Sequence, residues 1–217
     1  MLKVENVQVW GFEHAIRGMR NPFDSWSKSD SGNCGVTDCY NCNGHWSGKP
    51  CFVIGKNDLL LMQKLYAGGS EHRKFLRQIM ISMDITAPFY WWKEFDTYKV
   101  GTVANSCSTM HKIASRELTL DDFSTEHLTG TSLSRLAELI ATMNDYRNMY
   151  LKSQDKLYWW QLIQLLPTSY NQKRTVTMNY ENAVAIIKQR NGHKLDEWHT
   201  LIQELVKLPN LAAIIGK

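Results

Sequence analysis

The chain has 217 residues, of which 43% are hydrophobic and 21% charged, and it carries a formal net charge of +4. That length can bury a substantial core, and the balance is that of an ordinary globular protein, read as one domain over residues 1–217. No apolar run approaches the ~20 residues that cross a bilayer, and Glu5 and Gln8 break the apolar start that a secretion signal needs. Lys and Arg are spread too evenly to track the phosphates of duplex nucleic acid. These observations point to a soluble cytoplasmic protein with no membrane or duplex partner.

In chain order, Leu2, Val4, Val7 and Val9 alternate with polar neighbours and predict an opening strand with one slip in register, followed by a helical turn from Glu13 to Arg20. Residues 21–51 are rich in Ser, Gly, Asn and Asp and read as an inserted loop. Asn57 is expected to cap a helix carrying Leu60, Leu61 and Leu65, ended by Gly68 and Gly69, and Ser70 to cap the next segment. Ile79, Ile81, Met83 and Ile85 then alternate with Ser82, Asp84 and Thr86, the pattern of a half-buried strand. Pro88 opens a short helix over FYWWKEFD.

The polar stretch from Thr97 to Ser115 has little periodicity and is the expected site loop. Helices are predicted over Ser132–Lys152, with Leu133, Leu136, Ile140 and Met143 on one face, and over Lys156–Leu166, stopped by Pro167. Thr175 to Met178 form a short strand. Asn179 starts a helix that Gly192 closes, and a last helix presents Leu195, Trp198, Ile202 and Leu205. Helices and strands without a regular βαβ rhythm give an α+β fold.

Asn179 and Arg190 are the most informative pair. They stand eleven positions apart, which at roughly 100° per residue returns to within about 20°, with Ala183 and Ile186 on the same stripe. A buried guanidinium without a partner costs several kcal/mol, so Arg190 must meet a carboxylate, reach the rim or face an anionic ligand. Residue by residue, simpler roles stand beside this one: Asn is a preferred helix cap, and a last-turn Arg is favoured by the helix dipole.

Four of the five cysteines, Cys34, Cys39, Cys42 and Cys51, fall within eighteen residues as C-x4-C-x2-C-x8-C. This spacing admits a structural zinc, free thiols or an iron–sulfur cluster, and the odd total fits a reducing compartment. The pairs Trp91-Trp92 and Trp159-Trp160 can wall a flavin or a base, or simply fill core or subunit contact.

The second half of the chain resembles the flavin-dependent thymidylate synthases, the ThyX family. Leu166 and Pro167 are followed by Thr177, Asn179 and Arg190 at the family's intervals, and ITAP at Ile85–Pro88 sits where the family has a similar tetrad. The family signature RHRxxSxNExSxRY falls on Thr97–Met110, here TYKVGTVANSCSTM. Thr97 and Tyr98 stand for the first Arg and the His. Lys99 keeps only the charge of the second Arg, and Thr102 only the hydroxyl of the first Ser. Ala104 and Asn105 stand for Asn-Glu, Cys107 for the second Ser and Thr109 for the late Arg. Glu181 and Thr200 occupy positions that are often Arg, and His193 lies one place from a family histidine.

The resemblance implies a ThyX-like fold with helices on a small sheet, a homotetramer, FAD, and a uridylate-type nucleotide that the family methylates reductively from dUMP to dTMP. It implies Arg190 as a substrate contact, with Lys99, Thr102 and Cys107 in the same nucleotide-binding set, and Asn179 as a flavin contact. The reaction is carried by cofactors, so no protein nucleophile is implied and Cys107 can be a small residue replacing Ser. Losing three or more charge-assisted contacts of about 1.5 to 3 kcal/mol each weakens the family's ligand set by orders of magnitude unless other donors replace them. The competing expectations are an altered synthase, a non-catalytic nucleotide-binding or sequestering protein, and a structural, partner-binding oligomer.

Overall fold

The computed structural model describes residues 2–33 and 52–216. Nine helices are described among these residues, together with a four-stranded sheet of order β1-β4-β6-β5 and a two-stranded sheet. The strands are β1 (Lys3–Trp10), β2 (Gly32–Asn33), β3 (Phe52–Val53), β4 (Met80–Pro88), β5 (Val103–Ser106) and β6 (Asn171–Asn179). The helices are α1 (Phe12–Arg20), α2 (Lys56–Ala67), α3 (Phe89–Phe95), α4 (Thr109–Lys112), α5 (Gly130–Ser153), α6 (Lys156–Leu165), α7 (Tyr180–Arg190), α8 (Asp196–Val206) and α9 (Leu211–Ile215). The α+β class expected from the pattern is the observed one. No helix among the described residues is long and apolar enough to cross a membrane.

The chain falls into two compact units. The first comprises residues 1–3, 85–97 and 104–175. In it α5 and α6 pack as an antiparallel pair across the left-handed Gln154 (φ 57°), and Asp155 caps α6 by accepting from Leu157 N at 2.9 Å. Leu136, Ile140 and Met143 of α5 and Leu162 of α6 bury with Ile113, Leu118 and Phe123. Leu133, expected on that face, is 36% exposed. In α3 both Trp91 and Trp92 are fully buried and pack edge-on with ring centres 4.9 Å apart, so this pair is core, whereas Trp160 is 47% exposed.

The second unit comprises residues 4–84, 98–103 and 176–217. The predicted slip in β1 is Asn6, whose φ of 52° breaks the alternation; its amide donates to Asp84 at 2.8 Å. Ile79, just before β4, and Ile81, Met83 and Ile85 within it are all buried while Ser82, Asp84 and Thr86 are half-buried, as the period of two requires. Helix α7 packs on α8, and α2 on α9.

Several local expectations are corrected here. Asn57 does not cap α2: Gly55 is the cap residue and its side-chain function is supplied from a distance by Asp30, whose carboxylate accepts from Asn57 N at 2.9 Å and Asp58 N at 3.1 Å. A Cβ on Gly55 would come within 2.2 Å of that carboxylate, which fixes glycine there. The face α2 buries is Asp58, Met62 and Leu65, and Leu60 is 55% exposed. Ser70 caps nothing; a 3-10 turn starts at Lys74 with Arg73 as its cap residue. In α8, Leu201 takes the buried place expected of Ile202.

Candidate functional site

Helix α7 starts where β6 ends. Asn179 has extended backbone (φ −115°, ψ 171°), and its side-chain oxygen accepts from Asn182 N at 3.0 Å while the Asn182 side-chain oxygen accepts from Asn179 N at 3.4 Å. This reciprocal box satisfies two of the N–H groups that a helix start leaves open. The Asn182 amide nitrogen also donates to Val100 O at 2.7 Å, which ties the Tyr98–Val103 loop to the first turn of α7. Gly101 makes that approach possible. Its φ is +72°, and a Cβ there would stand 2.8 Å from the Asn179 amide nitrogen.

The other end of the loop is tied to the last turn. Arg190 is half-buried; its Nε donates to the Tyr98 hydroxyl at 3.0 Å, and that hydroxyl donates to Gln189 Oε1 at 3.0 Å. The guanidinium carbon lies 4.6 Å from the centre of the fully buried Trp198 ring and 5.6 Å from that of Tyr98. Ring faces of this kind hold a desolvated cation by about 0.5 to 2 kcal/mol each. His193, beyond the helix, accepts from Leu195 N on Nδ1 at 3.1 Å and sets its ring 6.1 Å from Trp198.

Asn179 and Arg190 therefore share one ridge, with Ala183 and Ile186 fully buried between them. They also stand at its opposite ends, about 16 Å apart along an eleven-residue helix. The angular periodicity of the sequence is reproduced; the axial separation, which a helical wheel hides, keeps the two side chains from touching one group of atoms. What links them is the loop, through Asn182 at one end and Tyr98 at the other.

The remaining site residues are distributed as follows. Lys99 is exposed on the loop. Thr102 is half-buried, and its hydroxyl oxygen has no hydrogen-bond partner among the described residues. Cys107 belongs to the other unit: its side chain is exposed, its N–H donates to Lys173 O at 2.9 Å and its carbonyl accepts from Gln172 Nε2 at 2.8 Å. Glu181 is locked by Arg73, which donates to its carboxylate at 2.7 and 3.0 Å, and Thr200 donates to Asp196 O at 3.2 Å within α8. Cys34, Cys39, Cys42 and Cys51 lie outside the described residues. No group of three or more His, Cys, Asp or Glu that could hold a metal occurs among the described ones.

Sequence reasoning missed Tyr98, Asn182 and Trp198 as the organisers of this region. The signal for Asn182 was present, an amide three places after a capping Asn, whereas nothing local links Tyr98 to α7. It also missed β5 and α4 inside the polar stretch 97–115. All four β5 residues are exposed, so no alternation marks the strand.

No family model matches this chain, and no curated protein matches it in sequence. Solved structures do. The crystal structure of flavin-dependent thymidylate synthase ThyX from Helicobacter pylori complexed with FAD and dUMP superposes with a TM-score of 0.66, covering 98% of this chain and 97% of that one at 16% identity. A second crystal structure of ThyX from Helicobacter pylori with FAD and dUMP, at 2.31 Å, gives 0.65 at 15% identity, with 99% and 97% covered. The fold is that of the flavin-dependent thymidylate synthases. The ThyX-like fold that the resemblance implied thus extends to the described residues before Ile85, where the sequence carried no motif.

Proposed function

We propose that this chain is a nucleotide-binding protein on the ThyX-like fold and that it takes a uridylate-type nucleotide. The observation that carries the reading is the Tyr98–Val103 loop fixed to α7 at both ends, by Asn182 on Val100 and by Arg190 on Tyr98. Fixing the loop holds the exposed Lys99 and the half-buried Thr102, whose hydroxyl has no hydrogen-bond partner among the described residues, on a short ordered segment, so little ordering entropy opposes binding. Lys99 and Thr102 take the phosphate, the ammonium as a point charge and the hydroxyl as a donor. Arg190, held by the Trp198 and Tyr98 rings at the last turn of α7, adds positive potential at the Tyr98 end of the loop. Cys107 has no role in this proposal.

The matched structures contain FAD and dUMP, which supports a nucleotide ligand. The residues of this chain fit a flavin pyrophosphate poorly. A carboxylate, Glu181, stands locked to Arg73 where the resemblance places a cation, and the Asn179 oxygen is spent on the helix cap. Reductive methylation with FAD is the second reading, favoured by the full-length match to FAD complexes. Titration calorimetry with dUMP tests the first: one-to-one binding weakened about tenfold in Lys99→Ala supports it, and no heat at millimolar dUMP removes it. The visible spectrum of the purified protein, alone and after adding FAD, tests the second, since bound flavin colours the protein.

Two further proposals stand apart from the nucleotide. A homotetramer is supported by Leu157 and Trp160 of α6, 57% and 47% exposed, and Met149 and Leu151 of α5, 46% and 45% exposed; light scattering on the eluting protein reads the mass. A structural zinc on Cys34, Cys39, Cys42 and Cys51 rests on the cysteine spacing, and metal analysis of protein purified without chelator reads it.

A further inference from the structure

One buried carboxylate in the second unit is so fully bonded that it leaves its cation half used. Asp58, in the first turn of α2, is fully buried. Its Oδ1 accepts from Arg20 Nε at 2.6 Å. Its Oδ2 accepts from the hydroxyls of Ser29 at 2.8 Å and Ser31 at 2.6 Å and from the N–H groups of Asp30 and Ser31 at 3.1 Å each. Burial by itself raises the pKa of such a carboxyl; the bonds from Ser31, Ser29, Arg20 and Asp30 N–H outweigh it and hold Asp58 below the ordinary carboxylate range.

Arg20 is 3% exposed, and its Nη1 donates to Ser25 O at 3.2 Å and Ser25 Oγ at 3.4 Å. Its Nη2 is buried and has no hydrogen-bond partner among the described residues. A buried donor left unmade is costly, and native structures rarely keep one without a use. The same side chain lines a cavity of about 540 Å³, a volume suited to a small organic ligand. The exposed Arg17, one turn earlier on α1, lines it too. Trp26, half exposed yet fixed by its indole N–H on Asn21 Oδ1 at 2.8 Å, and Phe52, stacked on Phe12 with ring centres 6.2 Å apart, also line it.

We propose that this cavity binds a small aromatic carboxylate, its ring against Trp26 and Phe52 and its carboxylate on Arg20 and Arg17. The charge count favours a monoanion. Glu13 shares the wall with the two arginines, and Asp58 already neutralises Arg20 from behind, so the four charges sum to zero and a dianionic phosphate would be compensated less well than a single carboxylate. The aromatic walls favour a planar ring over an aliphatic acid.

The test titrates benzoate, benzamide and inorganic phosphate into the full chain, by calorimetry and ligand-observed NMR. Benzoate is expected to bind one-to-one, and benzamide about tenfold more weakly because it lacks the charge. Arg20→Lys keeps a cation for Asp58 but removes Nη2, and about a tenfold loss is expected. Should that variant unfold, Gly32→Phe decides. Gly32 lines the cavity, and a Cβ there meets no described residue within 4 Å, so the added ring is accommodated and is expected to abolish benzoate binding at an unchanged melting temperature. The proposal is overturned by absent benzoate binding, by equal affinity for benzamide, by phosphate displacing benzoate at equal concentration, or by wild-type affinity in a folded Gly32→Phe.

Discussion

Arg20 and Arg190 occupy equivalent places, the last residue of α1 and the last residue of α7, where a helix dipole favours a cation. Their surroundings differ in kind. Arg20 is buried against a carboxylate that four further donors also hold, while Arg190 is half-buried against two aromatic faces and one phenol hydroxyl. One local signature thus ends at two different depths. A charge removed fully from water needs an opposite charge and many donors around it, whereas a charge kept at the rim retains part of its hydration and adds ring faces and a phenol hydroxyl to its partners.

The comparison breaks most readily at Asp58. Asp58→Asn leaves the Arg20 guanidinium buried without a counter-charge, and a loss of about 3 to 5 kcal/mol is expected in urea unfolding. A loss under about 1 kcal/mol would mean that the pair contributes little. The pH dependence carries the same sign. Because the folded carboxyl is held below its unfolded value near ~3.9, its stabilisation is complete above that pH and is lost as acid carries the solution through the lower folded pKa. Thermal unfolding scanned below about pH 4 should therefore steepen in the wild type and flatten in Asp58→Asn.

At the other arginine the effect should be smaller. Arg190→Met keeps the apolar stem against Trp198 but forfeits the ring–cation contacts and the Tyr98 bond, for an expected loss of about 2 kcal/mol by the same unfolding assay. If it equalled the Asp58→Asn loss, the contrast between the two surroundings would not hold. Asn179→Ala removes the α7 cap and is expected to cost about 1 kcal/mol, and hydrogen exchange should rise first at the amide of Asn182. Smallest of all, Leu60→Gln should lie within about 0.5 kcal/mol of wild type, because Leu60 faces water while Met62 and Leu65 carry the contact. A larger change at Leu60 would point to a partner covering that face of α2.

What the amino-acid order determined by itself was local and periodic. The alternation of Ile79, Ile81, Met83 and Ile85 made β4 readable, the spacing of Leu136, Ile140 and Met143 made α5 readable, and Asn179 with Gly192 bracketed α7, because repeats of two and 3.6 residues expose one face at a time. Tertiary structure alone decided which neighbours those faces met. Asp30 caps a helix 27 positions away, Tyr98 reaches Arg190 across 92, and β5 is a strand because its neighbour offers backbone partners, with no side-chain pattern to announce it. Of the site residues read from the sequence, Lys99, Thr102, Asn179 and Arg190 prove to lie on or beside one loop-and-helix unit. The half-used Arg20 went unread, because a hydrogen bond left unmade is a property of the assembled surroundings and no window of sequence contains it.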